Sequence, residues 1–338
     1  MRVSVIGAGS WGTAVSWMLG GKGHEVRLWS RETEIAEGIN ANHRNPMYLP
    51  DVVLDPSVFA SHDMEQTLSG AEAVVMVTPS IGVRSSAEAM KPFLGTDTPV
   101  VILSKGVEGD SNLLMTEVLE DVFGNRARIA GLSGPNHAEE VSRGVPSATV
   151  VAAYEPAIGD LFQDIFMTPF FRVYTNPDVV GVELAGASKN IVAIGADISD
   201  GLGYGDNTKA TLMTRGLAEM SRLGAAVGAN PLTYMGLAGM GDLIATCTSR
   251  HSRNRNLGEM IAKGGTMQQF YDETHMVAEG ALACITVDEL AKREGLELPI
   301  TQQVRAILYD NVPVASAEQA LLGRGARDEL HGLGFIED

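Results

Sequence analysis

The chain opens on a short apolar run, Val3-Ser4-Val5-Ile6, that gives way at Gly7 to small residues and then to apolar positions at helical spacing, Ala14, Val15, Met18 and Leu19. This order predicts a strand, a tight turn and an amphipathic helix. Comparable runs at 25–29, 73–77, 99–103, 128–130, 148–152 and 170–174 read as further strands. Helical patterns separate them at 31–42, 63–68, 83–90, 113–123 and from Ala138, while 46–56 is rich in turn residues. Residues 73–77 are apolar at every position, as expected of a strand covered by helices on both faces. Strand and helix alternating over 1–174 predict an α/β fold with a doubly wound, mostly parallel sheet.

The pattern changes at Asn176-Pro177. Beyond it, strand runs give way to helical segments rich in small residues at 179–196, 208–227, 256–263, 279–294 and 300–309. Two domains are therefore expected: residues 1–177 around the sheet and an all-helical domain over 178–338. From Gly323 the sequence is rich in Gly and charge and reads as a loose tail.

Composition narrows the class. A chain of 338 residues, 45% apolar and 20% charged, is long enough for two domains and reads as soluble. No run approaches the roughly 20 apolar residues of a membrane span, so no stable membrane insertion is expected. The first strand is too short for a signal peptide. A net charge of −17 argues against a nucleic-acid partner. Cys247 and Cys284, far apart in sequence, read as buried reduced thiols of a cytoplasmic protein, with no metal site.

Six stretches carry candidate chemistry. Gly7-Ala8-Gly9-Ser10-Trp11-Gly12 is a Gly-x-Gly-x-x-Gly between a strand and a helix, the context of a dinucleotide fingerprint in a Rossmann sheet. Gly7 permits the turn, Gly9 lets the backbone approach a pyrophosphate, and Gly12 lets the helix pack close. After the second strand come Ser30-Arg31. Arginine there suits a 2′-phosphate and favours NADPH over NADH; Glu32 weakens that preference, and a solvated Arg31 is the alternative. Lys105 ends a strand, where ligands gather in open α/β sheets. Lys189 stands in a small, apolar helical run with Glu183 and Asn190 as candidate neighbours. A lysine there either reaches solvent or faces a polar site, where desolvation suits it to acid–base work. Asp242, in Gly239-Met240-Gly241-Asp242, is either a helix cap or a carboxylate beside Lys189. Ser252-Arg253-Asn254-Arg255 is a cationic stretch in an acidic chain, either an exposed loop or a phosphate cradle.

Taken together, these stretches resemble the bacterial NAD(P)-dependent glycerol-3-phosphate dehydrogenase family, over nearly the whole chain. The resemblance rests on Gly7–Thr13, residues 183–194 around Lys189, residues 236–248, and Ser252–Arg255. It implies reversible reduction of dihydroxyacetone phosphate to sn-glycerol 3-phosphate for glycerophospholipid synthesis, by a homodimer. It implies cofactor contacts from Ser10, Trp11, Arg31, Lys105, Ala138, Arg253, Val277 and Glu279. Lys189 would be the general acid and base, and Lys105, Gly134, Asp242, Ser252, Arg253 and Asn254 would surround the substrate. Asn136 stands where many bacterial members have Ser or Thr, and is expected to donate to a phosphate or hydroxyl. The expected rivals are a dehydrogenase of related fold acting on a β-hydroxy acid or ketopantoate, and a non-catalytic dinucleotide sensor.

Overall fold

A computed structural model describes residues 1–249, 253–274, 278–329 and 331, leaving aside the side chains of residues 253–255 and 274. The chain divides into two compact units, one of residues 1–105 and 113–179, the other of 106–112 and the chain from Val180 onward.

The first unit runs β1 (Arg2–Ile6), α1 (Ser10–Gly21), β2 (Glu25–Trp29), α2 (Thr33–Asn42), β3 (Val58–Ser61), α3 (Met64–Leu68), β4 (Ala73–Met76), α4 (Val83–Met90), β5 (Val100–Ile102), α5 (Met115–Phe123), β6 (Ile129–Ser133), α6 (Ala138–Val141), β7 (Ser147–Ala153), α7 (Pro156–Phe166) and β8 (Phe171–Asn176). The strands form one sheet in the order β3-β2-β1-β4-β5-β6-β7-β8. Neighbours pair in parallel except β6 and β7, which are antiparallel. Strand periodicity sorts the core into two layers. Val3 of β1, Ala73 and Val75 of β4 and Val101 of β5 pack on one face with Val15, Leu19 and Phe162. Ile6, Val74, Met76, Val100 and Ile102 pack on the other with Val83, Met90 and Leu119. Both faces are covered, which is why β4 is apolar throughout.

The sequence pattern misses two elements here. β3 is a four-residue edge strand whose outward Phe59 is 36% exposed and lies under the Arg27 guanidinium, 5.0 Å from the ring centroid. Four residues are too few to display a period. α7 begins on Pro156 and buries Phe162, Ile165 and Phe166.

The second unit is helical: α8 (Val179–Gly201), α9 (Asp206–Ala226), α10 (Asp242–Thr248), α11 (Arg253–Ala262), α12 (Met267–Thr274), α13 (Glu279–Arg293), α14 (Pro299–Tyr309) and α15 (Val314–Leu322). Contrary to the composition reading, α8 is long and apolar enough to cross a membrane, but 89% of its most apolar window is buried inside the fold. Its small residues make it a core helix. The expected loose tail is tethered where described. Arg324 and Arg327 pair with Glu297 at 2.9 and 3.4 Å, and Arg215 donates to the Glu329 carbonyl at 2.7 Å.

One buried carboxylate organises this unit. Glu219 of α9 accepts from the N–H groups of Ile300 at 2.7 Å and Thr301 at 3.2 Å. It thus caps α14, whose own N-cap residue Leu298 offers no side-chain acceptor. Burial pushes its carboxyl from 4.5 up to about 7, against the pull of those donors. The native state then holds this proton more tightly than the unfolded chain. Stability should fall as pH rises from about 4.5 to about 7 and level off above. Glu219→Gln cannot ionise, so the midpoint difference between parent and variant in thermal melts should shift between pH 5 and pH 8. A difference that does not change with pH would contradict this assignment.

Candidate active site

The glycine turn is built by close backbone approaches. Gly7 has φ +118°, a region disfavoured for other residues, and a Cβ there would lie 3.1 Å from the Val77 carbonyl carbon. A Cβ on Gly12 would lie 1.8 Å from the Gly7 carbonyl oxygen. The obstacle to a side chain at Gly12 is therefore chiefly the turn itself, and the Val5 side chain of the strand stands further off at 3.9 Å. Gly9 differs: no atom lies within 4 Å of its would-be Cβ. It precedes α1 in extended conformation, and among the described residues no side chain caps that helix. An uncapped helix N-terminus with open space over Gly9 suits a pyrophosphate, so these residues fit a dinucleotide. Ser10 and Trp11 are the first residues of α1, and Trp11 packs partly against the core.

A residue overlooked in the sequence braces this turn. Asn45 is fully buried. Its amide donates to the Ala8 carbonyl at 2.8 Å and to Thr13 Oγ1 at 2.9 Å, and its Oδ1 accepts from the N–H groups of Met47 and Tyr48, each at 3.0 Å. The available sign was an Asn-Pro step in a turn-rich stretch, which marks a bend and says nothing of what the amide reaches.

At the end of β2, the Arg31 side chain is 83% exposed and its Nη2 lies 2.9 Å from Glu32 Oε1. At the end of β5, Lys105 Nζ donates to the Gly134 carbonyl at 3.0 Å, bringing two expected site residues together. Asn136 turns its amide inward and donates to Thr149 Oγ1 at 3.1 Å, while Thr149 donates to the Ser133 carbonyl at 2.9 Å. At least one of its N–H groups thus serves the loop, where the sequence reading expected a ligand donor. Ala138, buried, opens α6.

In the helical unit, Lys189 Nζ donates to Asp242 Oδ1 and to Thr246 Oγ1, each at 2.5 Å. Their side chains are 6% exposed for Lys189 and 3% for Asp242, so the lysine does not reach out to solvent. Asp242 and Thr246 are one helical turn apart on α10 and present their oxygens on one face. Thr246 also donates back to the Asp242 carbonyl at 2.7 Å, which leaves its oxygen to accept from the lysine. Asp242 is the first residue of α10 with its carboxylate on Lys189, the second of the two readings its sequence allowed. Thr246 went unrecognised, although a hydroxyl four residues after an acid on a helix was its signal. Asn190 directs its amide to the Gly186 carbonyl at 3.4 Å, and Glu183 is buried further back on α8.

Ser252 and Val277 lie outside the described residues. Arg253 and Asn254 open α11, and Glu279 opens α13 after the extended Ala278. Both cysteines are buried and unbridged. Burial pushes their thiols up to about 12, which leaves neither as a thiolate near neutral pH. A buried ammonium held by a carboxylate and a hydroxyl is equipped to give a proton to a carbonyl oxygen.

The chain is similar to known proteins over most of its length. Residues 2–158 match the family model for the NAD-dependent glycerol-3-phosphate dehydrogenase N-terminus, and residues 178–319 match that for its C-terminus. A glycerol-3-phosphate dehydrogenase [NAD(P)+] from Moorella thermoacetica is 45% identical over 97% of both chains. One from Pelotomaculum thermopropionicum is 46% identical, over 97% of this chain and 95% of that one. The crystal structure of glycerol-3-phosphate dehydrogenase from Coxiella burnetii superposes with a TM-score of 0.90 at 36% identity, covering 96% of this chain and 99% of that one. A ketopantoate reductase from Ralstonia eutropha, 19% identical with a TM-score of 0.62, shares the fold alone. The chain belongs to the NAD-dependent glycerol-3-phosphate dehydrogenase family.

Proposed function

We propose that this chain reduces dihydroxyacetone phosphate reversibly to sn-glycerol 3-phosphate, with NADPH preferred and NADH accepted, and with Lys189 as general acid. The observation that carries the assignment is the buried Lys189–Asp242–Thr246 cluster in a chain of this family. When bound, the nicotinamide supplies the hydride. Negative charge then grows on the ketone oxygen, and the Lys189 ammonium stabilises it and delivers the proton. In the oxidation direction the same amine takes the proton back. Asp242 and Thr246 orient Nζ, and Asp242 also meets the substrate.

Lys105, Gly134, Asn136, Ser252, Arg253 and Asn254 are assigned to the rest of the substrate, the arginine gripping phosphate as a planar pair of donors. Gly7, Gly9, Ser10, Trp11, Gly12, Arg31, Lys105, Ala138, Arg253, Val277 and Glu279 are assigned to the cofactor. In this reading residues 1–177 bind the dinucleotide and 178–338 the substrate, in a cytoplasmic homodimer that feeds glycerophospholipid synthesis.

The test is oxidation of NADPH and of NADH by the purified protein on addition of dihydroxyacetone phosphate. Turnover is expected, and its absence with both cofactors overturns the assignment. Arg253→Ala should raise KM for dihydroxyacetone phosphate about tenfold or more while lowering kcat far less, the signature of binding shared by ground and transition states. An unaltered KM removes the phosphate role of that residue.

A further inference from the structure

Strands β5 and β6 run parallel as neighbours in the sheet, and the loop that leaves β6 is tied to the next strand, β7. Thr149 of β7 is fully buried and pairs in register with Val173 of β8. The antiparallel pairing of β6 with β7 ends at Ser133 opposite Val150, so Thr149 stands opposite the start of the loop at Gly134. The approach is close: Gly134 has φ +152°, and a Cβ on it would lie 2.9 Å from Thr149 Cα and 3.0 Å from Thr149 Oγ1. Only a glycine lets the loop rest on the threonine in this way. Two hydrogen bonds then meet at the Thr149 hydroxyl. It donates to the Ser133 carbonyl at 2.9 Å and accepts from the Asn136 amide at 3.1 Å, so one side chain holds both ends of the Ser133–Asn136 segment. Between those ends, the Gly134 carbonyl accepts from Lys105 Nζ at 3.0 Å.

We propose that Thr149 is a positioning residue for the substrate: through the Ser133–Asn136 loop it fixes the Gly134 carbonyl, and that carbonyl aims the Lys105 ammonium at the substrate. The inference rests on the assignment of Lys105 to the substrate. The physical reason is the length of the lysine side chain. A lysine ammonium sits on a long flexible stem, and one that is restrained before the substrate arrives loses less freedom on binding. The restraint is only as firm as the carbonyl that supplies it, and a loop carbonyl is firm when its loop is bonded to a central strand. Thr149 acts in this way without touching the substrate, and its effect therefore passes wholly through Lys105.

The test is a double-mutant cycle read in steady-state kinetics with dihydroxyacetone phosphate. Thr149→Val keeps the β-branched shape that suits a strand and removes the hydroxyl. It should raise KM about five- to tenfold and lower kcat less than about threefold, the worth of a neutral hydrogen bond expressed in binding. Thr149→Ser keeps the hydroxyl and should hold KM within about twofold of the parent. Lys105→Ala should raise KM about tenfold or more, as expected for a lost charge-assisted bond. Once Lys105 is alanine, Thr149→Val should add less than about twofold, because the group it positions is gone. A threonine that only stabilised the strand would cost the same factor with and without Lys105, and that result overturns the proposal. So does a Thr149→Val protein whose KM stays within about twofold of the parent, or a Thr149→Ser protein as impaired as Thr149→Val. If Thr149→Val does not fold, Thr149→Ala, with room for a water beside the Ser133 carbonyl, carries the same comparison. A Lys105→Ala protein with unaltered KM, or a parent without turnover, removes the substrate reading and the positioning role together. If Lys105→Ala raises KM and Thr149→Val does not, the reading of Lys105 stands and only the role of Thr149 falls.

Discussion

Replacing Lys189 with methionine should lower kcat for dihydroxyacetone phosphate by about 10²- to 10⁴-fold, the range that a positioned general acid supplies. Cofactor affinity should change far less. The methionine variant leaves Asp242 buried without its counter-charge, and breaking a buried pair costs about 3–5 kcal/mol. A loss of activity in that protein alone could therefore reflect partial unfolding. Two companions remove that ambiguity. Lys189→Arg keeps the positive charge beside Asp242, but a guanidinium does not release its proton at accessible pH. The double change Lys189→Met with Asp242→Asn removes both charges together and leaves no unpaired ion in the core. All three should be slow, and the latter two should melt close to the parent. If any of them kept more than about a tenth of the parental kcat, Lys189 would not be the proton donor.

The second large effect concerns the glycine turn, where two glycines should fail in different ways. Gly12→Ala places a methyl 1.8 Å from the Gly7 carbonyl oxygen; a Cβ is fixed by its own backbone and the atom it meets is backbone, so no rotamer change relieves the clash. The turn must open, with a marked fall in thermal stability and loss of cofactor binding. Gly9→Ala meets nothing within 4 Å, so its melting point should stay near that of the parent. Its methyl would occupy the space through which a pyrophosphate approaches α1, so the KM for NADPH should rise about a hundredfold or more, the loss of several amide–phosphate hydrogen bonds. Calorimetry together with cofactor titration distinguishes the two outcomes. A stable Gly9→Ala that binds NADPH normally would remove the pyrophosphate from this turn.

Much of this molecule was legible before any coordinates. β1, β2 and β4 to β8 follow apolar runs because each buries its side chains on the spot where they lie in the chain. The same holds for the long helices α8, α9, α13 and α14, whose periodicity exceeds one or two turns. α11 follows its predicted segment at 256–263, whereas β3, α7, α10 and α12 have no predicted counterpart, because each segment is short or its apolar face brief. The tail after Gly323 looked loose because Gly and charge favour disorder in isolation, whereas Arg324 and Arg327 find Glu297, about 30 residues earlier.

The amino-acid sequence by itself determined the strand–glycine–helix opening, the change from sheet to helices near Asn176, and the residues that mark the family. These are local patterns, written by burial period and by the turns that only glycine permits. Tertiary structure alone decided which polar groups meet. Lys189 and Asp242 stand 53 residues apart and become a 2.5 Å ion pair only when α8 packs with α10. Asn45 becomes the brace of the glycine turn by reaching residues 37 and 32 positions away. Arg31, although 83% exposed, pairs with Glu32, a choice of rotamer and neighbour that spacing does not encode. A side chain's type states what bond it is able to make; the packed backbone determines the partner within its reach.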